Sequence, residues 1–293
     1  MKNLLLLVAL CISTYSLKAQ AIDAEPEVST VCGGGSASLT ATVIPAGSPG
    51  APGSLPTTDY AISSVPFSTD PFTSGTAVAL TDDSQTGLVI PIGFTFCYFG
   101  TEYTVANIGS NNWLSFSAAQ STTYTPQAIP SATNFPVNAI LGPFQDINPG
   151  AGGTVRYATY GTAPFRRFVV SWNNVPMFSC TGQLYSSQII IYETTNIIET
   201  HIANKSVCPG WVGGRATHGL QNTTGTVAIA VPGRNNTQWT ASNEGTRFTP
   251  NGVATYTINW YILPANTLIG TGPSITVNTC NFTSVLLCRS CRT

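Results

Sequence analysis

The amino-acid sequence predicts an all-β protein, a large antiparallel β-sandwich inserted into a smaller one, and three observations carry that prediction. Runs of β-branched and aromatic residues alternate along the chain with Gly, Pro, Asn and Asp, the punctuation expected of short strands and turns. Beyond the first twenty residues, no window of about a dozen residues repeats its apolar positions at the 3.6-residue period of a helix. Strand-like segments also stand near both ends of the chain, and a lone strand is not stable without a partner. The economical solution pairs the first strands with the last ones around a larger domain.

The chain opens with a leader. Lys2 supplies positive charge, residues 4–12 form a nine-residue apolar stretch, and Ala19-Gln20-Ala21 offers small residues for cleavage. That stretch is too short to span a bilayer, so the pattern predicts a secretory signal peptide ending near Ala21. Cys11 follows Leu10, where lipid attachment needs a small residue, and it reads as apolar filler. No later apolar run reaches the ~18 residues of a transmembrane helix. The expectation is a secreted or extracellular protein, attached to a cell surface, if at all, by something other than a membrane span.

Only 8% of the residues are charged, against ~25% in an average soluble domain. Without Lys2 and Lys18, nine basic residues face twelve acidic ones, a net charge of −3. This excludes the basic footprint of a nucleic-acid-binding protein. With 43% hydrophobic and 10% aromatic residues the chain has ample material for a core and is not disordered. Its polar surface is expected to be carried by Thr, Ser and Asn.

The elements follow in order. Ala37–Val43 is the first strand after the leader, and residues 44–58, rich in Pro, Gly, Ala and Ser, have linker composition. Strands are then predicted at 88–90, 94–99, 113–117, 154–159, 167–172, 188–192 and 197–202, the last two joined as a hairpin through Thr194-Thr195-Asn196. Beyond Pro250, residues 255–261 and Ser274–Val277 read as further strands, and 279–293 as a tail bearing Cys and Arg. The domain reading is therefore a signal peptide (1–21), the first part of the small domain plus linker (22–58), the large sandwich (59–250), the second part of the small domain (251–278) and the tail (279–293).

Seven cysteines follow the predicted cleavage point: Cys32, Cys97, Cys180, Cys208, Cys280, Cys288 and Cys291. Export permits disulfides, and an odd number leaves at least one thiol unpaired or intermolecular. Cys180 and Cys208 flank a predicted hairpin and are the best disulfide candidate. Cys97 lies in the apolar run from Ile92 to Phe99 and reads as a small buried hydrophobe.

Several segments resemble, in order, those of a nidogen-type (NIDO-like) extracellular domain, also seen in plexin-domain-containing proteins. Phe94-Thr95-Phe96-Cys97-Tyr98-Phe99-Gly100 with Tyr103 resembles its F-x-F-x-F-Y-G strand. Ser110-Asn111-Asn112-Trp113-Leu114-Ser115-Phe116 resembles S-N-G-x-L-S-F, with Asn112 where Gly is usual. Ile140-Leu141-Gly142-Pro143-Phe144-Gln145-Asp146-Ile147 resembles I-x-P-F-W-x-D-x-D, with Asn148 at the place of the second acid. Phe168-Val169-Val170-Ser171-Trp172-Asn173-Asn174-Val175 and the strand ending at Tyr192 resemble F-x-V-x-W-x-N-V and F-Q-x-x-L-Y. The resemblance spans roughly residues 60–250 and implies an extracellular sandwich. The flanks, Cys32-Gly33 to Ala41, Asn259-Trp260-Tyr261 and Gly270-Thr271-Gly272-Pro273-Ser274, resemble an Ig-like module of secreted surface proteins from gliding bacteria. That resemblance implies that the chain is a fragment of a larger surface protein.

Catalytic chemistry is hard to place on these residues. There are two histidines, His201 in a predicted strand and His218 in a Gly-rich stretch read as a loop, and no G-x-S-x-G, H-E-x-x-H or phosphate-loop motif. Glu193 and Glu199 flank one hairpin turn and are expected to be solvated rather than paired in a glycosidase cleft. Asp82, Asp83, Asp146 and Asn148 are the candidate calcium ligands, since extracellular Ca²⁺ takes loop oxygens. The competing reading of these four residues is turn chemistry. For ligand binding, Trp211, Arg215, Arg234 and Trp239 are the candidates, with Tyr124 and Tyr185 also in loop-like contexts and Arg247 nearby. Aromatic faces and Arg dominate binding hot spots, although a Trp in a sandwich is more often a core residue.

The expectation is a non-enzymatic extracellular adhesion or binding module with a protein or polysaccharide ligand, no nucleic acid, and no cofactor beyond the calcium question. The alternatives are a carbohydrate-binding module, which an exposed row of coplanar aromatics would favour, and an extracellular hydrolase. The hydrolase would need a cleft joining Glu193, Glu199, Asp146 or a histidine.

Overall fold

A computed structural model describes residues 22–25, 37–43, 59–251, 258–262, 267–271, 274–277 and 285–289. The predicted leader, the linker-like stretch 44–58, and the tail apart from 285–289 lie outside them, as do Cys32, Cys280 and Cys291. The strands run in chain order as β1 (Ile22–Glu25), β2 (Ala37–Val43), β3 (Tyr60–Val65), β4 (Thr76–Val78), β5 (Ile90–Tyr98), β6 (Thr101–Gly109) and β7 (Trp113–Ser115). They continue as β8 (Ala139–Phe144), β9 (Thr154–Tyr160), β10 (Arg167–Pro176), β11 (Leu184–Tyr192), β12 (Ile198–Lys205) and β13 (Arg215–Gln221). The last are β14 (Ala228–Gln238), β15 (Ala241–Pro250), β16 (Ile258–Ile262), β17 (Thr267–Thr271), β18 (Ser274–Val277) and β19 (Val285–Arg289).

The protein is an all-β sandwich of two antiparallel sheets. One sheet has the order β3-β15-β12-β11-β10-β9-β4 and the other β14-β13-β8-β7-β6-β5. Their facing sides share one core that includes Ile92, Phe96, Ile108, Leu114 and Ile140 from the six-stranded sheet and Phe168, Val170, Trp172, Ile189, Ile191 and Phe248 from the seven-stranded one. Trp172 crosses the interior, its indole Nε1 donating to Gly109 O at 3.1 Å. Among the described residues the helical elements are two short 3-10 turns, Pro149–Ala151 and Val212–Gly214. Two three-stranded sheets, β1-β2-β18 and β17-β16-β19, complete the described strands. In the first, Ser274 stands opposite Thr40 and Val277 opposite Ala37, so strands from either side of the large domain share a sheet.

Some expectations need correction. Residues 88–89 form a turn, not a strand: Gly87 takes φ +75°, Val89 N bonds back to Gly87 O, and Val89 is 66% exposed. His218 is not in a loop. It lies in β13, fully buried, because the glycine beside it serves close packing: a Cβ on Gly219 would lie 2.4 Å from Ile229 O. The tail carries a strand, Val285–Arg289, paired with β16. Cys97 is buried, as expected of an apolar filler, but it is disulfide-bonded.

The central strands are covered on both faces, and the topology of β3 and β4 shows how. They occupy opposite edges of the seven-stranded sheet, so the link between them must cross five strands. Six interstrand steps of ~4.8 Å make about 29 Å, and the link from Val65 to Thr76 can stretch to about 36 Å at ~3.3 Å per residue. It therefore lies across the outer face with little slack, taking one tight turn in which Ser74 N donates to Pro71 O at 3.1 Å. Along its path Phe67 packs edge-on against His201, and Ser68 N donates to His201 Nδ1 at 3.3 Å. Arg167 forks onto the Asp70 carboxylate. The Gln188 carboxamide acts as a surrogate strand, accepting from Asp70 N at 2.9 Å and donating to Asp70 O at 2.8 Å. On the other sheet, the segment between β7 and β8 lays Ile129 and Phe135 over Trp113, Leu141 and Phe144, forming a second small core.

Gln188→Leu keeps the side-chain volume but leaves Asp70 N and O without partners. Chemical denaturation is expected to show a loss of about 2–4 kcal/mol, with faster amide exchange at Asp70. A change below about 0.5 kcal/mol would mean that the strap does not depend on this contact.

Candidate functional site

Asp146 lies two residues beyond the end of β8, while Asp82 and Asp83 occupy the turn leading from β4 toward β5. That turn is closed by Ser84, whose hydroxyl accepts from Thr81 N at 2.8 Å and donates to Thr81 O at 2.9 Å. It is pinned to the β6–β7 turn, with Ser84 N donating to Ser110 Oγ at 3.1 Å and Ser110 N to Ser84 O at 2.9 Å. Asp83 sits at φ +46°, a region Asp and Asn enter more readily than most residues. Asn111 then ties the two loops together. Its amide donates to Asp83 Oδ1 at 2.7 Å, and its carbonyl accepts from Ile147 N at 3.0 Å. Asp82, Asp83 and Asp146 are thereby brought to one point, with one carboxylate oxygen from each within 4.8 Å of the others.

Asn148 has a different task. Its side chain accepts from Ala151 N at 3.1 Å and caps the turn Pro149–Ala151, which is turn chemistry. The residue that completes the acidic cluster is Asn111. The adjacent pair Asn111-Asn112 was its only signal in the sequence.

The electrostatics of the three acids are unbalanced. Burial pushes Asp146 up to about 7, opposed by the Trp211 indole N–H and reinforced by the charges of Asp83 and Asp82. Burial also raises Asp82, helped by the neighbouring Asp83 carboxylate, and raises Asp83 against the bond from Asn111. Oδ1 of Asp146 and Oδ1 of Asp82 are buried without a hydrogen-bond partner. By contrast, Asp70, Glu193, Glu199 and Glu244 are paired with Arg167, Arg166, Arg247 and Arg234 respectively. Among the described residues no Lys or Arg forms an ion pair with the acidic cluster.

Asp146 also lines a small, shallow surface cleft walled by Met177, Phe178, Cys208, Trp211 and Arg215. Its aromatic wall is layered, with Trp211 4.9 Å from Phe178 and 5.6 Å from Tyr124, ring centre to ring centre. Tyr124 is 41% exposed. The wall is fixed by the Cys180–Cys208 disulfide and by the bond from Trp211 Nε1 to Asp146 Oδ2 at 2.7 Å. Two of the four ligand-binding candidates, Trp211 and Arg215, thus meet at this cleft. The other two, Trp239 and Arg234, meet each other. Arg234 lies 4.3 Å above the Trp239 ring, Lys205 4.4 Å from it, and His218 stacks on it at 5.9 Å. That ring is occupied by the protein's own side chains. Tyr185 is not in a loop. It is fully buried in β11, where its hydroxyl accepts from Asn112.

The remaining acid–base candidates, Glu193, Glu199, His201 and His218, are committed to partners within the protein. Glu199, expected to be solvated, is enclosed because the strap covers its face of the sheet. It accepts from Tyr192 Oη at 2.8 Å and Arg247 Nε at 2.6 Å, and it lies 3.0 Å from His201 Nε2. Since His201 Nδ1 accepts from Ser68 N, the Nε2 carries the proton and donates. Burial disfavours the Glu199 charge, but the bonds from His201, Tyr192 and Arg247 outweigh it and hold the carboxyl at about 2. Glu193 is also paired rather than solvated, with Arg166. His218 bonds Thr200 Oγ1 at 2.8 Å. Burial first, then the charges of Arg234 and Lys205, push its imidazole down to about 3.

A family model described as NIDO related matches residues 59–260. No curated protein and no solved structure matches the chain significantly. No helix among the described residues is long and apolar enough to cross a membrane.

The buried pair His218 and Glu199 fixes a sign for acid stability. Both folded values lie below the ordinary ones, 6.5 and 4.5, so each group stabilises the fold above its ordinary value and loses that contribution as pH falls. His218 acts first, from pH 6.5 downward, and Glu199 only below 4.5. A His218→Gln variant is therefore expected to be less stable than wild type at pH 7, with the gap closing by up to about 1.4 kcal/mol per pH unit. Thermal melts at pH 7, 6 and 5 measure this, and a gap that stays constant across them would show that His218 is not held neutral.

Proposed function

The chain belongs to the NIDO-related family, and on that premise we propose that it is an extracellular binding module without catalytic activity, contacting a protein partner through the aromatic cleft at Trp211. The observation that carries the reading is the layered wall of Tyr124, Trp211 and Phe178 beside Arg215. A partly exposed aromatic on a fixed support, flanked by Arg, is the composition of an interface hot spot. Trp239 and Arg234 serve this role less well, because their faces are turned to each other and to Lys205 and His218.

A carbohydrate-binding module would present a row of aromatics on one sheet face. Among the described residues the strongly exposed aromatics are Tyr124 and Phe165, which stand on different loops. This favours a protein over a polysaccharide. A hydrolase is disfavoured because both histidines are buried and Glu193 and Glu199 are locked by Arg166 and Arg247. The flanking strands, with their resemblance to an Ig-like module of gliding-bacterium surface proteins, support a place at the cell surface within a larger assembly.

The test is surface plasmon resonance of the chain against panels of extracellular-matrix proteins and glycans, repeated with Tyr124→Ala and Arg215→Ala. Both side chains are exposed enough to remove without unfolding the protein, which a melting curve checks. The expected result is binding to a protein ligand, weakened roughly tenfold or more by either variant. Protein binding that neither variant affects would place the contact elsewhere. Selective glycan binding would move the assignment to the carbohydrate class, and silence across both panels would leave a structural spacer.

A further inference from the structure

From the convergence of two half-buried acids on a third that is buried, we propose that Asp82, Asp83 and Asp146 form a low-affinity calcium site that fixes the β4–β5 turn to the end of β8. The inference is independent of what the cleft binds.

Three observations carry it. The first is geometric. Ca²⁺ binds oxygen at about 2.3–2.6 Å, so two ligands of one ion at ~2.4 Å can be up to ~4.8 Å apart, the limit within which these three oxygens lie. Mg²⁺ makes stricter octahedral demands and gives up its water reluctantly, so loop carboxylates completed by water favour Ca²⁺. The second is the orphaned oxygens. Asp146 is 4% exposed, and its Oδ1 is buried without a partner while its Oδ2 is taken by Trp211. Oδ1 of Asp82 is in the same condition. A buried carboxylate oxygen without a donor is costly, and a cation supplies what the protein does not. The third is the contrast within the molecule. In a chain of so few charges four acids are each given an arginine, and the three that converge are given none.

The loops are also held independently of any ion. The Ser84–Ser110 bonds and the Asn111 bridge from Asp83 to Ile147 place the ligands beforehand, which lowers the ordering cost of binding. Three carboxylates with water completing the shell match the weak end of calcium affinities, about 10⁻⁴–10⁻³ M, sufficient where calcium is millimolar. The competing account is carboxylates that share protons and need no metal, as in paired-acid sites.

The two accounts separate in a melting experiment on the chain after chelator treatment. Calcium at 10 mM is expected to raise Tm by about 4 °C over an NaCl control of equal ionic strength, with a smaller rise in 10 mM MgCl₂. Asp83→Asn and Asp146→Asn keep shape, tolerance of the turn and the acceptor for Trp211, but remove a charge. Each is expected to raise Tm in chelator, by relieving repulsion, and to abolish the calcium increment. Proton sharing alone predicts the first effect in the variants and no calcium increment in wild type. Should the variants fail to fold, Tb³⁺ titrated into wild type reports directly: indole-sensitised emission displaced by millimolar Ca²⁺ supports the site. A wild-type Tm identical in calcium and NaCl, or an Asp83→Asn protein with the full calcium increment, would overturn it.

Discussion

Two sheets with both faces covered can exist only if the irregular segments lying on their outer faces find partners for their own peptide groups. A covering segment cannot join the ladder, and a buried N–H or C=O without a partner costs free energy on the scale of a lost hydrogen bond. This chain meets the requirement with primary carboxamides. Gln188 pairs with both groups of Asp70, and Asn235 pairs with both groups of Ile129, at 2.7 and 2.8 Å. Gln221 holds Ser131 N and Pro136 O, Gln120 accepts from Val137 N, and Asn107 donates to Ser117 O. A carboxamide presents donor and acceptor side by side, as a peptide does, and carries no charge to desolvate. Such fastening suits a sequence in which only 8% of the residues are charged.

The same choice limited what could be read from the sequence. Segments rich in Val, Ile and aromatic residues announced β5, β10, β11 and β12, because there the side chains themselves fill the core. β13 and β14 were hidden behind Arg, Thr, His, Asn and Gly, whose place in a strand is decided by tertiary partners rather than by periodicity. Residues of the types expected to carry the polar surface, among them Asn107, Thr200 and Ser187, are fully buried, as is Gln188. Conversely, Leu88-Val89 has strand composition but follows a glycine that turns the chain. Asn112 shows the opposite case. It replaces the glycine usual at that point of the motif, and it takes φ +59°, the left-handed region that glycine favours and Asn tolerates.

For the acidic cluster the residue types were legible and the arrangement was not. Asp82-Asp83 and Asp146 are 63 or more positions apart in the sequence, and no spacing rule joins them. What joins them is that the β4–β5 turn and the end of β8 reach the same end of the sandwich, where Asn111 bridges the two loops. Asn148, the nearer neighbour in sequence, is diverted by a cap that only the backbone path of the next three residues reveals. For the same reason Trp211 and Arg215 meet at a cleft while Trp239 is enclosed. Each sits beside a similar mixture of Gly, Arg and Thr, and only the strands behind them differ.

Asp146 is the residue at which the cluster and the cleft become one object. Its carboxylate contributes an oxygen to the acidic cluster, and its Oδ2 accepts the indole proton of Trp211. Any cation that binds this carboxylate fixes its plane, and with it the orientation of the aromatic wall. Coupling of this kind is reciprocal. A partner that holds Trp211 in its observed position must tighten the cation site by the same factor by which the cation tightens the partner. In a medium of nearly constant calcium the practical effect is rigidity. The wall is held by a disulfide on one side and a shared carboxylate on the other, so a partner meets a surface that needs little ordering before contact.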